Sequence, residues 1–154
     1  MPESDFGLDS PYPLSGTLLG FDFGMRKMGV AVGQTITRTA RPLALYKMQE
    51  GTPNWQMLDV LITQWQPVGL IVGIPVNEAH PDQHMVLAAK NFGQYLRARY
   101  QLPVFGVDEH LTSFAARQAL LEHGGTKALQ RNSVDSIAAQ FILETWLRLY
   151  GISD

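Results

Sequence analysis

Two apolar stretches only four residues apart constrain this chain more than any other feature. Thr17-Leu18-Leu19-Gly20-Phe21-Asp22-Phe23 and Met28-Gly29-Val30-Ala31-Val32-Gly33 both read as strands, with Gly24 to Lys27 between them. A parallel pair needs a crossover of a dozen or more residues, so these two must form an antiparallel hairpin. The first strand carries Asp22 inside its apolar run. A buried carboxylate without a partner either takes up a proton or finds a cation. The fold must therefore supply Asp22 with company. Gly20 and Gly24 on its flanks leave room for backbone or ligand to come close.

The remaining elements follow from changes of period. Leu43 to Met48 is a third strand, again antiparallel after the short connection Thr35 to Thr39, with Pro42 near its start. Gly51-Thr52-Pro53 opens a helix, Thr52 as N-cap and Pro53 in the first turn, and Leu58, Leu61, Ile62 and Trp65 form its apolar face. Pro67 ends it. Gly69 to Ile74 is a continuous apolar run, which predicts a strand covered on both faces. After the loop Pro75 to Asp82 a long helix runs to Tyr100, with Val86, Leu87, Ala89, Phe92, Tyr95 and Leu96 inward. Leu102 to Asp108 is the fifth strand. A helix over Thr112 to His123 stops at Gly124-Gly125. Ser133 caps a last helix to Tyr150, with Val134, Ala138, Phe141, Ile142 and Leu149 as the buried stripe.

Right-handed crossovers place the fourth strand beside the first. The expected architecture is α/β, a five-stranded mixed sheet in the order 3-2-1-4-5 with helices on both faces. Residues 17–150 form a single domain, and residues 1–16 a mobile tail that would dock, if it docks, through Phe6, Leu8 or Tyr12.

Composition narrows the chemistry. The absence of cysteine excludes disulfides, thiolate metal sites and cysteine nucleophiles, and leans towards the cytoplasm. No run is long and apolar enough for a membrane span, and the acidic start lacks the pattern of a signal peptide. The net charge of −2 argues neither for nor against nucleic acid. The first 16 residues hold three acids and no base, which leaves 12 bases against 11 acids in the body. Arg26, Lys27, Arg38, Arg41 and Lys47 lie in one stretch that contains no acid.

Three carboxylate positions stand out. Asp22 is in the central strand, Asp108 and Glu109 are at the exit of the fifth, and Asp135 opens the last helix. In this sheet order all three places can converge on strand one. Converging carboxylates must be protonated, paired or bridged by metal, and hard oxygen donors select Mg²⁺ or Mn²⁺, one ion or two. Such ions suit in-line hydrolysis of a phosphodiester. Strand alternation sends Asp108 and Glu109 to opposite faces, so only one reaches Asp22, and periodicity does not say which. Taken singly, each acid has an ordinary role: Asp22 paired with Arg26, Asp135 as a favourable charge at a helix start, and Asp108 or Glu109 as loop acids. Arg26, Lys27 and Arg131, with Lys127, are placed to hold a nucleic-acid backbone. His80 and His84 have a helical metal spacing, but Pro81 breaks the turn, which argues against zinc. The Asp22-Phe23-Gly24 triplet lacks the other motifs of a kinase. The hairpin after strand one excludes a dinucleotide-binding turn.

The run Leu19 to Gly33 resembles the opening of the YqgF (RuvX) family of RNase H-like proteins. So do Thr39-Ala40-Arg41-Pro42-Leu43, Ile71-Val72-Gly73-Ile74-Pro75, Val107-Asp108-Glu109-His110-Leu111-Thr112-Ser113 and Val134-Asp135-Ser136-Ile137-Ala138-Ala139, in the family's order. The resemblance implies an RNase H-like fold and a nuclease that matures the 5′ end of pre-16S ribosomal RNA in the cytoplasm. It also implies Asp22, Glu109 and Asp135 as the acidic set, and so favours Glu109 over Asp108. The alternatives are a Holliday-junction resolvase, which requires a homodimer, and a non-catalytic RNA- or ribosome-binding module. Two departures are His110, where the family often has Arg, and the loop Val76 to Asp82.

Overall fold

The computed structural model describes residues 7–76, 79, 83–109 and 133–151. Nine elements follow in order: β1 (Thr17–Asp22), β2 (Lys27–Gln34), β3 (Thr39–Gln49), β4 (Thr52–Pro53), α1 (Trp55–Trp65), β5 (Gly69–Ile74), α2 (His84–Tyr100), β6 (Val104–Asp108) and α3 (Val134–Tyr150). The helix expected over Thr112 to His123 lies outside the described residues. The sheet order is β4-β3-β2-β1-β5-β6. This is the expected order with one two-residue strand added beyond β3.

The hairpin constraint operates as the sequence demands. β1 pairs antiparallel with β2 and parallel with β5, and β5 pairs parallel with β6. β1 is therefore central, and its side chains alternate between two cores. Leu19 and Phe21 pack with Met28, Val30, Leu58 and Phe92 under α1 and α2. Leu18 packs with Ala31, Ile71, Phe105, Ile142 and Trp146 under α3. Fully buried β5 needs apolar residues on both faces, which its Gly-Leu-Ile-Val-Gly-Ile sequence provides.

Several boundaries differ from expectation for local reasons. Thr52 does not cap α1. Asn54 does, its side chain accepting from the N–H groups of Gln56 and Met57. Thr52 and Pro53 instead pair with Gln49 and Met48. β3 begins at Thr39, ahead of the expected Leu43, because a bulge absorbs Pro42. Val30 pairs with Ala44 and Ala31 with Pro42, leaving Leu43 as the extra residue. The stripe expected on the last helix was out of phase. Val134 and Leu149 are 58% and 48% exposed, while Ser136, Ile137, Ala139, Leu143, Trp146 and Leu147 are buried beside Ile142. On α2, Leu87 and Tyr95 are exposed against expectation. With Phe23, Trp55 and Phe92 they line an open hollow of about 530 Å³.

The segment expected as a mobile tail packs on the sheet over residues 8–16, the docked alternative. Leu8 is buried. The Asp9 N–H donates to the Val104 carbonyl at 2.9 Å, and the Val104 N–H donates to Asp9 Oδ2 at 2.9 Å. Tyr12 meets the Phe105 ring edge-on at 5.5 Å. Gly16 and Thr35 are tied in both directions. Phe6 lies outside the described residues.

Helix α3 sits unusually close to the sheet because glycines face it. A Cβ on Gly20 would meet Leu143 Cγ at 2.5 Å and the Ala139 carbonyl at 3.2 Å. A Cβ on Gly29 would run into the Asp135 carbonyl group and the Ser136 N–H. Backbone cannot yield as a flexible side chain can. Gly29→Ala is expected to cost about 2–4 kcal/mol in urea unfolding. A loss below about 0.5 kcal/mol would show that the helix start can move freely.

Candidate active site

Asp22 ends β1 and pairs with Gly29 across the hairpin. Gly20 faces α3, so alternation turns Asp22 to that same face. Gly29 in turn receives the backbone of Asp135 directly. The helix start is held by Ser133, whose Oγ accepts from the Ser136 N–H at 3.0 Å. The hairpin register and one missing Cβ thus bring the first turn of α3 to the end of β1.

Glu109 arrives from the other side. It follows β6, and its N–H donates to the Ile74 carbonyl at 2.9 Å. Its side chain lies over Gly73, where an added Cβ would meet Oε1 at 2.8 Å and Cγ at 3.1 Å. Gly73 therefore leaves room for this carboxylate above β5. Glu109 and Asp22 are joined by a side-chain hydrogen bond.

Electrostatics ties the three acids together. Burial first, then the charge and hydrogen bond of Glu109, then the charge of Asp135, push the Asp22 carboxyl up from 3.8 to about 8. Every influence acting on Asp22 favours the protonated form, so Arg26 does not neutralise it. Two carboxyl groups in hydrogen-bond contact share a proton and titrate as a pair. Three hard oxygen donors with one forced to hold a proton fit a divalent cation such as Mg²⁺ or Mn²⁺, which would replace that proton. They are not a ready-made cage: among the described residues no group of three or more His, Asp or Glu side chains is set to hold a metal ion as it stands.

The basic residues are partly placed. Lys27 Nζ is 3.8 Å from Asp135 Oδ2, with the two side chains 63% and 31% exposed. A pair that open to water contributes little to stability. Arg26 is exposed at the hairpin turn, and its carbonyl accepts from the Met48 N–H at 2.7 Å. Arg131, Lys127 and His110 lie outside the described residues. Sequence reasoning missed Gly29 and Gly73 as the residues that admit the other two acids. Glycines four residues apart in the two strands that flank β1, Gly29 and Gly33 in one and Gly69 and Gly73 in the other, were the available signal.

The raised carboxyl has a pH signature. Its protonated form is favoured by folding, so this contribution is full below pH about 4 and is lost as pH rises towards about 8. In metal-free buffer, Asp22→Asn is expected to equal wild type in stability near pH 4. It should exceed wild type by a few kcal/mol near pH 8. Denaturation curves that stay parallel across this range would refute the burial of a protonated Asp22.

Known proteins resemble this chain in sequence and in fold. The family model described as RuvX, Holliday junction resolvase, matches residues 16–149. A protein of Klebsiella pneumoniae named "Putative pre-16S rRNA nuclease" is 46% identical over 133 residues, covering 86% of this chain and 96% of its own. One of the same name from Cronobacter sakazakii is 44% identical over 138 residues, covering 90% and 100%. Among solved structures, Thermus thermophilus RuvC with a Holliday junction substrate aligns with a TM-score of 0.52 at 16% identity, covering 86% and 96%. The yeast mitochondrial resolvase Ydc2 aligns at 0.51 and 12%, covering 90% and 80%. These two share the fold, which is RNase H-like. By the family match over nearly all of its length and by its close relatives, the chain belongs to the RuvX family.

Proposed function

We propose that this protein is a divalent-metal-dependent endonuclease that trims the 5′ end of the 16S ribosomal RNA precursor in the cytoplasm. The observation that carries the reading is the convergence of Asp22, Glu109 and Asp135 from three separate elements, two of them over glycines that leave room for them. The relatives' name supplies the substrate. No helix among the described residues is long and apolar enough to cross a membrane.

Asp22, Glu109 and Asp135 would hold one or two Mg²⁺ or Mn²⁺. When bound, the cation supplies Lewis-acid stabilisation of the charge that builds on the phosphate. The chain's own residues do the rest. The Asp22–Glu109 pair holds a proton that leaves when the site is loaded. Lys27, beside Asp135, holds the strand's phosphates at the edge of the acidic cluster. Arg26 at the turn extends the same contact. The rigid hairpin fixes Asp22, Arg26 and Lys27 in one unit, so scissile phosphate and carboxylate are positioned together.

A second reading, cleavage of Holliday junctions, is favoured by the family description and by the fold shared with RuvC. It requires two sites related by a two-fold axis. Purified protein should cut a synthetic pre-16S leader in Mg²⁺, and stop in EDTA. Asp22→Asn, Glu109→Gln and Asp135→Asn should each slow cleavage by roughly 10²-fold or more. Undiminished cleavage by Asp22→Asn would sink the proposal, and cleavage of a four-way DNA junction alone would transfer it to the second reading.

A further inference from the structure

Lys27 and Lys47 are direct partners across β2 and β3. Directly opposed residues of an antiparallel pair put their Cβ atoms roughly 4.5–5.5 Å apart on one face, and like charges there are destabilising. That face is the one bearing the acidic cluster. Lys27 is two residues from Gly29, which α3 covers, and Lys27 Nζ reaches Asp135. Lys47 is exposed and has no acidic partner among the described residues. Asp135 is already beside Lys27.

We propose that Lys47 and Lys27 form a two-pronged clamp for the phosphodiester backbone of a strand entering the acidic site. This rests on the nuclease reading and adds Lys47 to it as a substrate-positioning residue. The chemistry follows from the placement. Two ammonium groups held side by side repel each other until an anion lies between them. A polyanionic strand that crosses the carboxylates over Asp22 continues past Asp135 onto this pair, so one phosphate is reached by both lysines. Asp135 answers the charge of Lys27 alone in the free protein, and the charge left on Lys47 is offset when that phosphate is bound.

Lysine also serves on outer strands to discourage edge-to-edge pairing, and β3 is covered beyond Lys47 only by the two residues of β4. That role calls for one charge on the edge and gives no reason for a second charge facing it. The two roles separate experimentally. The Lys47→Gln and Lys47→Glu variants are compared with wild type for binding to a single-stranded RNA leader and to a four-way DNA junction. Ca²⁺ replaces Mg²⁺ so that the strands stay intact, and salt is varied.

The clamp predicts that Lys47→Gln weakens RNA binding about 5-fold near 0.1 M salt and lowers the slope of log affinity against log salt by about 0.7. Lys47→Glu should weaken binding further while raising the melting temperature by about 1–3 °C, because it turns the repulsion into a cross-strand pair with Lys27. Losses on RNA alone, or on both ligands, support the clamp. Loss on the junction alone supports the clamp and overturns the ribosomal RNA reading. Wild-type affinity and slope in both variants overturn the clamp and leave the nuclease reading standing. Failure of wild type to bind either ligand overturns both.

Discussion

The seat of α3 on the sheet is the contact that the rest depends on. A helix normally stands off a sheet by the thickness of two layers of side chains. Here Gly20 and Gly29 remove one layer, and backbone meets backbone at the first turn. Ile142, Leu143, Trp146 and Leu147 then bury the rest of the helix against Leu18, Ile71 and Phe105. The packing decides where Asp135 lies, and that position is beside the end of the central strand. Stability and the candidate site share one interface, so the site is as rigid as the core beneath it.

The cost of that arrangement falls on Asp22. A carboxyl at the end of a buried strand, facing two other acids, would ordinarily be replaced by an apolar residue. Its pKa of about 8 measures how strongly the folded chain resists a third negative charge. The hairpin absorbs the strain because both of its strands are anchored in apolar layers on either side. Perturbed carboxyls of this kind cluster where a protein handles charge that arrives from outside.

Most of the fold could be read from spacing. Four residues between two apolar runs decide a hairpin, and intervening helices decide the parallel additions. What spacing could not settle was phase and local competition. Val134 looked apolar enough to be inward, yet the side that glycines leave open draws Ser136 and Ile137 instead. Asn54 outcompeted Thr52 because its amide reaches two N–H groups. At the site, Asp22 was legible from its own strand, as a charge in an apolar run. Glu109 and Asp108 were not separable by pattern, since both stand at one strand end and the turn after Asp108 decides direction. Lys47 was only one base among five, because its meaning depends on a register that no single strand reveals.

That register hangs on the bulge at Leu43. If Leu43 paired with Val30 in place of bulging out, the half of β3 that runs from Ala44 to Gln49 would slide by one against β2, and every side chain in it would change sides. Met48, now buried, would turn out to water, and Lys47 would be driven into the core beneath α1. A slipped sheet would therefore expose sulfur and bury ammonium at once. Correct alignment of the outer strands is thus enforced by a misfit whose penalty grows with each residue, and the bulge acts as a ratchet that admits one alignment only.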